Sequence, residues 1–517
     1  MTEALNIVPT PLERPLVWPP LLYTLSPILS AQKVPVYLVG GTVRDAFLKR
    51  PGHDFDFVTA SDGQQQVARA IANTFKGDYY TLDAERGIGR AIIQFEGERY
   101  EIDVSRFRGE TLADDLIGRD FTINAMAIPM DAANADFSQI IDPLNGRGDL
   151  KAKRIRRCSP TSISDDPIRA LRAVRLANAL RMQIEPQTRA DLKAAAPNLF
   201  NTSIERIRDE FWKILDGATP YAALRALDAL GLLKQIVPEV EAMKGVTQRP
   251  PHVFDVWEHT LRVIEALDII LMVISPDRTT DTAADGFYGM IVYRLDRYRK
   301  QLQAHLAHEW PNGRTHRALL MFAALYHDIA KPATRTVDEH GIAHFYEHER
   351  LGAEIVRERA LALKLSTDEA DRLEAIVRYH MRPHTLGMGG SEVSTRSLYR
   401  YWKATEESGV DVALLTQADY LGVYAHTAQL KAWLAHLEIV AQLLEGYYFR
   451  REQQIAPTLL VNGNDLMQEL AIAPSPEIGR LLRKIAEAQA VGEITTREQA
   501  LDYARRELQT PTPDPAE

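Results

Sequence analysis

Asp54 and Asp56 are two residues apart in the segment DFDFV, and on a strand such residues project from the same face. Carboxylates held that close repel each other unless a divalent cation sits between them. Mg²⁺ suits the position because it takes a few carboxylates and completes its shell with phosphate oxygens and water. Gly40-Gly41 stands just upstream, where bare backbone at a strand-to-helix turn can approach a phosphate. Arg44 follows one helical turn later and reaches the same anion. Val36–Val58 is therefore predicted to run strand, glycine turn, short helix, strand, and to hold a triphosphate between the glycines and the acids. A lone GG is more often only a turn, and a lone Asp-x-Asp more often a solvated strand end; order and spacing together carry the prediction.

Other elements must hold that stretch in place. At 517 residues the chain exceeds one ordinary core, and several domains are expected. Its 45% apolar and 25% charged composition is that of a soluble globular protein. A formal net charge of −9 argues against uniform coating of nucleic acid but leaves room for a local basic patch. Cys158 is the only cysteine, which excludes an internal disulfide or a cysteine-based zinc site and suits a reducing compartment. The N-terminal residues lack a basic region followed by an apolar core. The most apolar stretch, Ala266–Ile274, contains Asp268 and is too short to span a bilayer. A cytoplasmic protein without membrane association is expected. Around the acids, LLYTLSPILS is predicted as one short helix, and Gly63–Phe75 as another with Val67, Ala70 and Ile71 on one side. Arg90–Phe95 and Arg99–Val104 alternate as an antiparallel pair joined through Glu96-Gly97-Glu98.

GGTVRD followed after a short gap by DFDFV resembles the head of class II tRNA nucleotidyltransferases and bacterial poly(A) polymerases, members of the polymerase-beta-like nucleotidyltransferase superfamily. Gly118–Ile128, GRDFTINAMAI, extends the resemblance to the family's RRDFTINAMA motif, with Gly118 in place of the first arginine. The resemblance implies that Arg119 and Asp120 approach the nucleotide and its ribose. Asp103 is either the third acid that polymerases of this kind place on a neighbouring strand or a strand acid paired with an arginine. Asp142–Leu150 matches the family's DPxxGxxDL connection out of the head. From Asp165, DDPIRALRAVRLANAL is predicted as one helix with Asp165 at its N-terminal end and Asp166, Arg169, Arg172 and Arg175 along one face. Similarity to the family's EDxxR motif implies that this face reads the base edge, choosing CTP or ATP without a nucleic-acid template; a surface ion pair is the plainer reading of an isolated DxxR. Arg147–Arg189 holds eleven Lys/Arg against four Asp/Glu, a local +7 suited to RNA phosphates or to a solvated face. Glu205–Leu215 resembles the family's fifth motif and neck. Only GETLAD separates Arg108 from Asp115, where full CCA-adding enzymes carry a longer flexible loop associated with the switch from CTP to ATP and CC-adding enzymes tend to lack it.

Past Pro251 come His259, His327-Asp328, His348, His380 and Asp419. Mixed imidazoles and carboxylates suit Mn, Fe, Ni or a relaxed Mg site better than structural zinc. A His-Asp pair ending an apolar helix is odd for core packing, because both groups need partners. The order H, HD, H, H, D resembles the HD phosphohydrolase superfamily, which implies up to two metals, a bridging water and phosphoester hydrolysis, with Lys331 near phosphate. The expected organisation is a lead-in (1–33), an α/β head of mixed sheet and helices (34–149), a helical neck (150–248), an HD domain (249–452) with an insertion near 276–315, and a helical tail (453–517) frayed after 509. The function so implied is metal-dependent, template-independent addition of C, and of A where the full CCA end is made, to tRNA 3′ ends from CTP and ATP. A poly(A) polymerase, or an HD hydrolase with a non-catalytic RNA-binding head, are the alternatives. The sequence leaves the oligomeric state open.

Overall fold

A computed structural model describes residues 7–50, 52, 54–60, 63–83, 87–276, 286–386, 392–424 and 430–509. The chain divides into two units, Met1–Glu210 with Ala226–Ile236, and Phe211–Arg225 with Val237–Glu517. The expected fraying of 510–517 and the opening of the 276–315 insertion (277–285) lie outside the described residues.

In the first unit, the alternation around the acids builds a sheet with one dry face. Its strands are β1 (Val36–Val39), β2 (Asp54–Thr59), β3 (Asp78–Asp83), β4 (Ile88–Phe95), β5 (Glu98–Arg106) and β6 (Ala127–Pro129), in the order β3-β4-β5-β2-β1-β6. Only β2 and β5 are parallel neighbours, so the sheet is mixed, as expected. Phe55 and Phe57 of β2 are buried, and the intervening period of two leaves Asp54 and Asp56 on the open side. The β4–β5 hairpin closes on Glu96 (φ 52°) and Gly97 (φ 84°), a two-residue turn with both central residues at positive φ, which matches the twist of the strands. Helix α1 (Pro20–Ser30) buries Leu21, Leu22, Leu25 and Leu29, α2 (Gly41–Phe47) follows β1 directly, and α3 (Gln64–Phe75) buries Val67, Ala68, Ile71 and Ala72. The edge strand β3 has no counterpart among the sequence predictions.

The short GETLAD segment is ordered: α4 (Leu112–Ile117) starts within it, and Thr111 and Asp114 form a reciprocal capping box. One expectation changes. The helix predicted from Asp165 begins instead at Arg169, as α5 (Arg169–Leu180), while Ser162–Asp165 form a separate turn. Pro167 explains the break, since a residue before proline is pushed out of the helical region, and Asp166 is extended (φ −147°, ψ 92°). The basic segment is also largely paired within the unit: buried Asp149 takes Arg154 and Arg156, Asp142 takes Arg147, and Asp191 takes Arg157.

The second unit is built mainly of helices, α6 (Val256–Val273), α7 (Gly286–Leu295), α8 (His316–Tyr326), α9 (His348–Ala362), α10 (Thr367–Tyr379), α11 (Gly409–Tyr424) and α12 (Leu430–Phe449), with one hairpin of β7 (Arg335–Val337) and β8 (Ala343–Phe345). The described part of the insertion belongs to this core. Ile291, Leu295 and Tyr298 are buried, the Tyr298 hydroxyl donates to Glu445, and the Trp433 indole donates to the Phe287 carbonyl. The tail helices α13 (Gly463–Leu470), α14 (Pro476–Ala490) and α15 (Arg497–Gln509) share a core of Leu466, Leu481, Ile485 and Leu501. No helix among the described residues is long and apolar enough to cross a membrane.

Candidate active site and candidate metal centre

The open face of β2 and β5 forms one wall of a cleft of about 620 Å³ in the first unit. Every residue singled out in the sequence for the nucleotide site, from head and neck alike, lines it: Gly40, Gly41, Arg44, Asp54, Asp56, Asp103, Arg119, Asp120, Asp166, Arg169, Arg172 and Arg175. Parallel register sets Asp103 beside Asp56. Asp103 also satisfies its plainer reading, since both its oxygens take the Arg90 guanidinium, at 2.7 and 2.8 Å. Asp56 is reached by water through the cleft yet ringed by protein. Burial pushes its carboxyl up, Asp103 and Asp54 add to the rise, and Arg119 and Arg108 oppose it. Gly40 has φ +78°, and a Cβ there would sit 3.0 Å from an Asp56 oxygen and 3.3 Å from the Arg119 guanidinium, so the turn demands glycine.

Seven arginines line the same cleft: Arg44, Arg108, Arg119, Arg169, Arg172, Arg175 and Arg206. Most are braced by the protein before any ligand arrives. Buried Asp115 on α4 accepts from Arg119 Nε at 3.0 Å. Arg169 donates to the carbonyls of Gly118 (2.7 Å), Arg119 (3.0 Å) and Ser162 (3.1 Å). Arg172 bonds Asp120 at 2.7 and 2.9 Å, and Arg175 bonds Glu210 at 2.7 Å. The Asp166–Arg169 pair is only a 4.0 Å contact; Asp166 instead accepts from Arg206 at 2.8 Å. Asn124 ties two parts of the site together, accepting from Arg44 at 2.7 Å and donating to Asp120 at 3.0 Å. The sequence reading missed Asn124, Arg108, Asp115 and Arg206, although Asn124 lies inside the quoted DFTINAM segment.

Asp120, implied to approach the nucleotide, has its oxygens taken up by Arg172, Asn124 and the Phe121 amide. Burial alone would raise its pKa, but Arg172 and the hydrogen bonds outweigh it and lower it from 3.8 to about 2. A depressed acid contributes stability that is complete above its unfolded value and is lost as pH falls through the folded one. Asp120→Asn is therefore expected to cost about 2 kcal/mol at pH 7. Urea unfolding should show that deficit hold down to about pH 4 and shrink toward pH 2.

In the second unit, His259 (α6), His327 and Asp328 (after α8), His348 (start of α9), His380 (after α10) and Asp419 (α11) converge. His259 Nε2 lies 3.1 Å from Asp419 and 3.4 Å from Asp328, and His348 Nε2 lies 3.4 Å from the other Asp328 oxygen. His327, His348 and His380 each donate Nδ1–H to a carbonyl three residues earlier, at 2.8, 2.7 and 2.7 Å, which turns Nε2 inward. Two ligand sets result, His259/His327/Asp328 and Asp328/His348/His380, sharing Asp328. Nε2 of His348 and of His380 are buried without a hydrogen-bond partner among the described residues, which fits a cation. Burial, with its imidazole neighbours, lowers the His380 pKa to about 3, keeping it a neutral ligand. Lys331 pairs with Asp328 at 2.6 Å and donates to Gln248 at 2.7 Å. His384, which the sequence reading passed over in favour of His380, bonds the second oxygen of Asp419 at 3.0 Å.

Fold and sites together define a nucleotidyltransferase-type head joined to an HD-type helical domain. Family comparison agrees: "Poly A polymerase head domain" matches residues 36–156, "Probable RNA and SrmB- binding site of polymerase A" residues 181–244, and "HD domain" residues 256–423. The chain is 31% identical to the A-adding tRNA nucleotidyltransferase of Deinococcus radiodurans over 91% of its own length and 94% of the relative's. It is 29% identical to the CC-adding tRNA nucleotidyltransferase of Geobacter sulfurreducens, covering 92% and 93%. The chain belongs to the tRNA nucleotidyltransferase family. Its fold matches the Thermotoga maritima CCA-adding enzyme complexed with tRNA (TM-score 0.55, 21% identity, 94% and 95% covered).

Proposed function

We propose that the head transfers nucleotidyl groups from a ribonucleoside triphosphate to the 3′-hydroxyl of tRNA, taking CTP in preference to ATP. The observation behind this reading is the wall of Asp54, Asp56 and Asp103 facing the arginine-lined wall of one cleft. Mg²⁺ held by Asp54 and Asp56 would supply charge neutralisation at the α-phosphate and activation of the attacking hydroxyl. The chain's own groups do the placing. The Gly40-Gly41 backbone and Arg44 cradle the phosphates, Arg119, fixed by Asp115, contacts the nucleotide, and Asp120 sets the position of Arg172. Asp166, Arg169, Arg172 and Arg175 line the side where the base is read. The 3′-oxygen bonds to the α-phosphorus, the α–β bridge breaks, pyrophosphate leaves, and the hydroxyl proton passes to solvent.

Preference for CTP rests on α4. Its capping box and the Asp115–Arg119 pair stand where CCA-adding enzymes have a longer flexible loop, leaving no slack with which to reshape the pocket for adenine. The curated relatives include both A-adding and CC-adding enzymes, so similarity alone does not choose. Purified protein given each labelled triphosphate, with tRNA lacking CCA and with tRNA ending in CC, decides the matter. Two CMP additions followed by arrest are expected. AMP addition to the CC end would overturn the preference, ATP-only extension by many residues would replace the reading with polyadenylation, and no incorporation would leave a non-catalytic head.

For the helical domain, the two ligand sets sharing Asp328 favour hydrolysis of phosphomonoesters or 2′,3′-cyclic phosphates. A divalent ion there (Mn, Ni, Fe or Mg) would polarise the phosphoester and a water. Water oxygen bonds to phosphorus, the P–O ester bond breaks, and the water proton goes to the leaving oxygen, with Lys331 at the phosphate. Working divisions of 34–149, 150–248, 249–452 and 453–517 serve these two chemistries, and the cytoplasm is where tRNA ends are processed.

A further inference from the structure

Above the imidazole and carboxylate floor of the HD site lies a cleft of about 410 Å³, within the roughly 300–1,000 Å³ of small-molecule sites. Its mouth is not what a bare phosphate requires: Phe345, Tyr346, Tyr420 and Tyr424 line it. Tyr346 is 70% exposed, yet it is held in place. Its ring lies parallel to His344, with centroids 5.3 Å apart and an interplanar angle of 6°. His344 Nε2 faces an Asp338 oxygen at 2.9 Å and so carries the proton, which leaves Nδ1 to accept from the Tyr346 hydroxyl at 3.2 Å. Asp338 is itself fixed by the backbone amides of His340 and Ile342, both at 2.9 Å. The ring is thus flanked by the offset, parallel His344 ring and pre-ordered at the rim of a phosphate-type site, with its faces open to solvent. Pre-ordering removes the entropy loss that a mobile side chain would add on binding.

We propose that Tyr346 is a nucleobase platform, so that the HD site takes phosphate esters carrying a base, with the phosphate at the floor by Lys331 and the base stacked at the rim. This deepens the hydrolase reading above and rests on it. Stacking on an aromatic ring contributes enough to change affinity by about 5- to 150-fold.

The test uses the full chain. Kinetics with adenosine 3′-monophosphate and with base-free ribose 5-phosphate are compared for the wild type, Tyr346→Ala and Tyr346→Trp, and 8-azidoadenosine 3′-monophosphate is photo-crosslinked and mapped by mass spectrometry. Tyr346→Ala should raise KM for the adenosine ester about 10-fold or more while leaving ribose 5-phosphate unchanged, and Tyr346→Trp should retain wild-type behaviour. The crosslink should fall on the peptide containing Tyr346. Equal losses on both substrates, or crosslinks that spare the hairpin, would overturn the platform. If neither ester is cleaved with any divalent metal, the hydrolase reading falls, and the crosslink still decides the platform.

Discussion

Asp56→Ala is expected to lower the rate of CMP transfer by about 10²- to 10³-fold, the loss that follows removal of one strong electrostatic contact to a transition state. Asp56 stands at the centre of the acidic wall, with Asp54 on its own strand and Asp103 across the parallel pair. It is also the acid whose carboxyl is pushed up by burial and by both neighbours, so the site is built around a charge that needs a cation. The substitution shortens an open-side chain and leaves Phe55 and Phe57 in place, so circular dichroism and the melting midpoint should stay near the wild type. Single-turnover kinetics with labelled CTP provide the measurement; activity within tenfold of wild type would mean the metal-bearing wall has been misplaced. Asp103→Ala in the same assay separates the two readings of that acid. A comparable loss makes it a third ligand, and a loss below about tenfold leaves it as the partner of Arg90.

Asp328→Ala should abolish metal binding at the HD site, because both ligand sets use that carboxylate. Loss of a group that only hydrogen-bonds a ligand weakens metal sites by about 10–100-fold, so removal of the shared ligand itself should exceed that range. His348→Ala, which touches only one set, should lower the stoichiometry rather than empty the site. Elemental analysis of dialysed protein and calorimetric titration with Mn²⁺ read both effects. The alanine variant also leaves Lys331 without its buried partner, a change that typically costs about 3–5 kcal/mol. The isosteric comparison is Asp328→Asn, which keeps the volume and separates ligand loss from unfolding. Wild-type metal content in both variants would remove Asp328 from the centre.

What could be read from the sequence was whatever depends on neighbours close in the chain. The period of two put Asp54 and Asp56 on one face, the Gly40-Gly41 turn followed a strand, and Glu96-Gly97 closed a hairpin because each follows from local backbone sterics. The family motifs then named most of the cleft lining. Tertiary structure decided who holds whom. Arg172 meets Asp120 across 52 residues and Arg175 meets Glu210 across 35, so a row that looks like a ready base reader is first a set of braced guanidiniums. Proline at 167 took Asp166 off the helix and gave it to Arg206, which spacing alone does not reveal. In the second unit the sequence supplied the order of ligands, but only packing turned His348 and His380 inward and set His384 behind Asp419. The division has one physical cause: chain geometry fixes the direction of a side chain, whereas the partner it meets is fixed by long-range packing that no short stretch encodes.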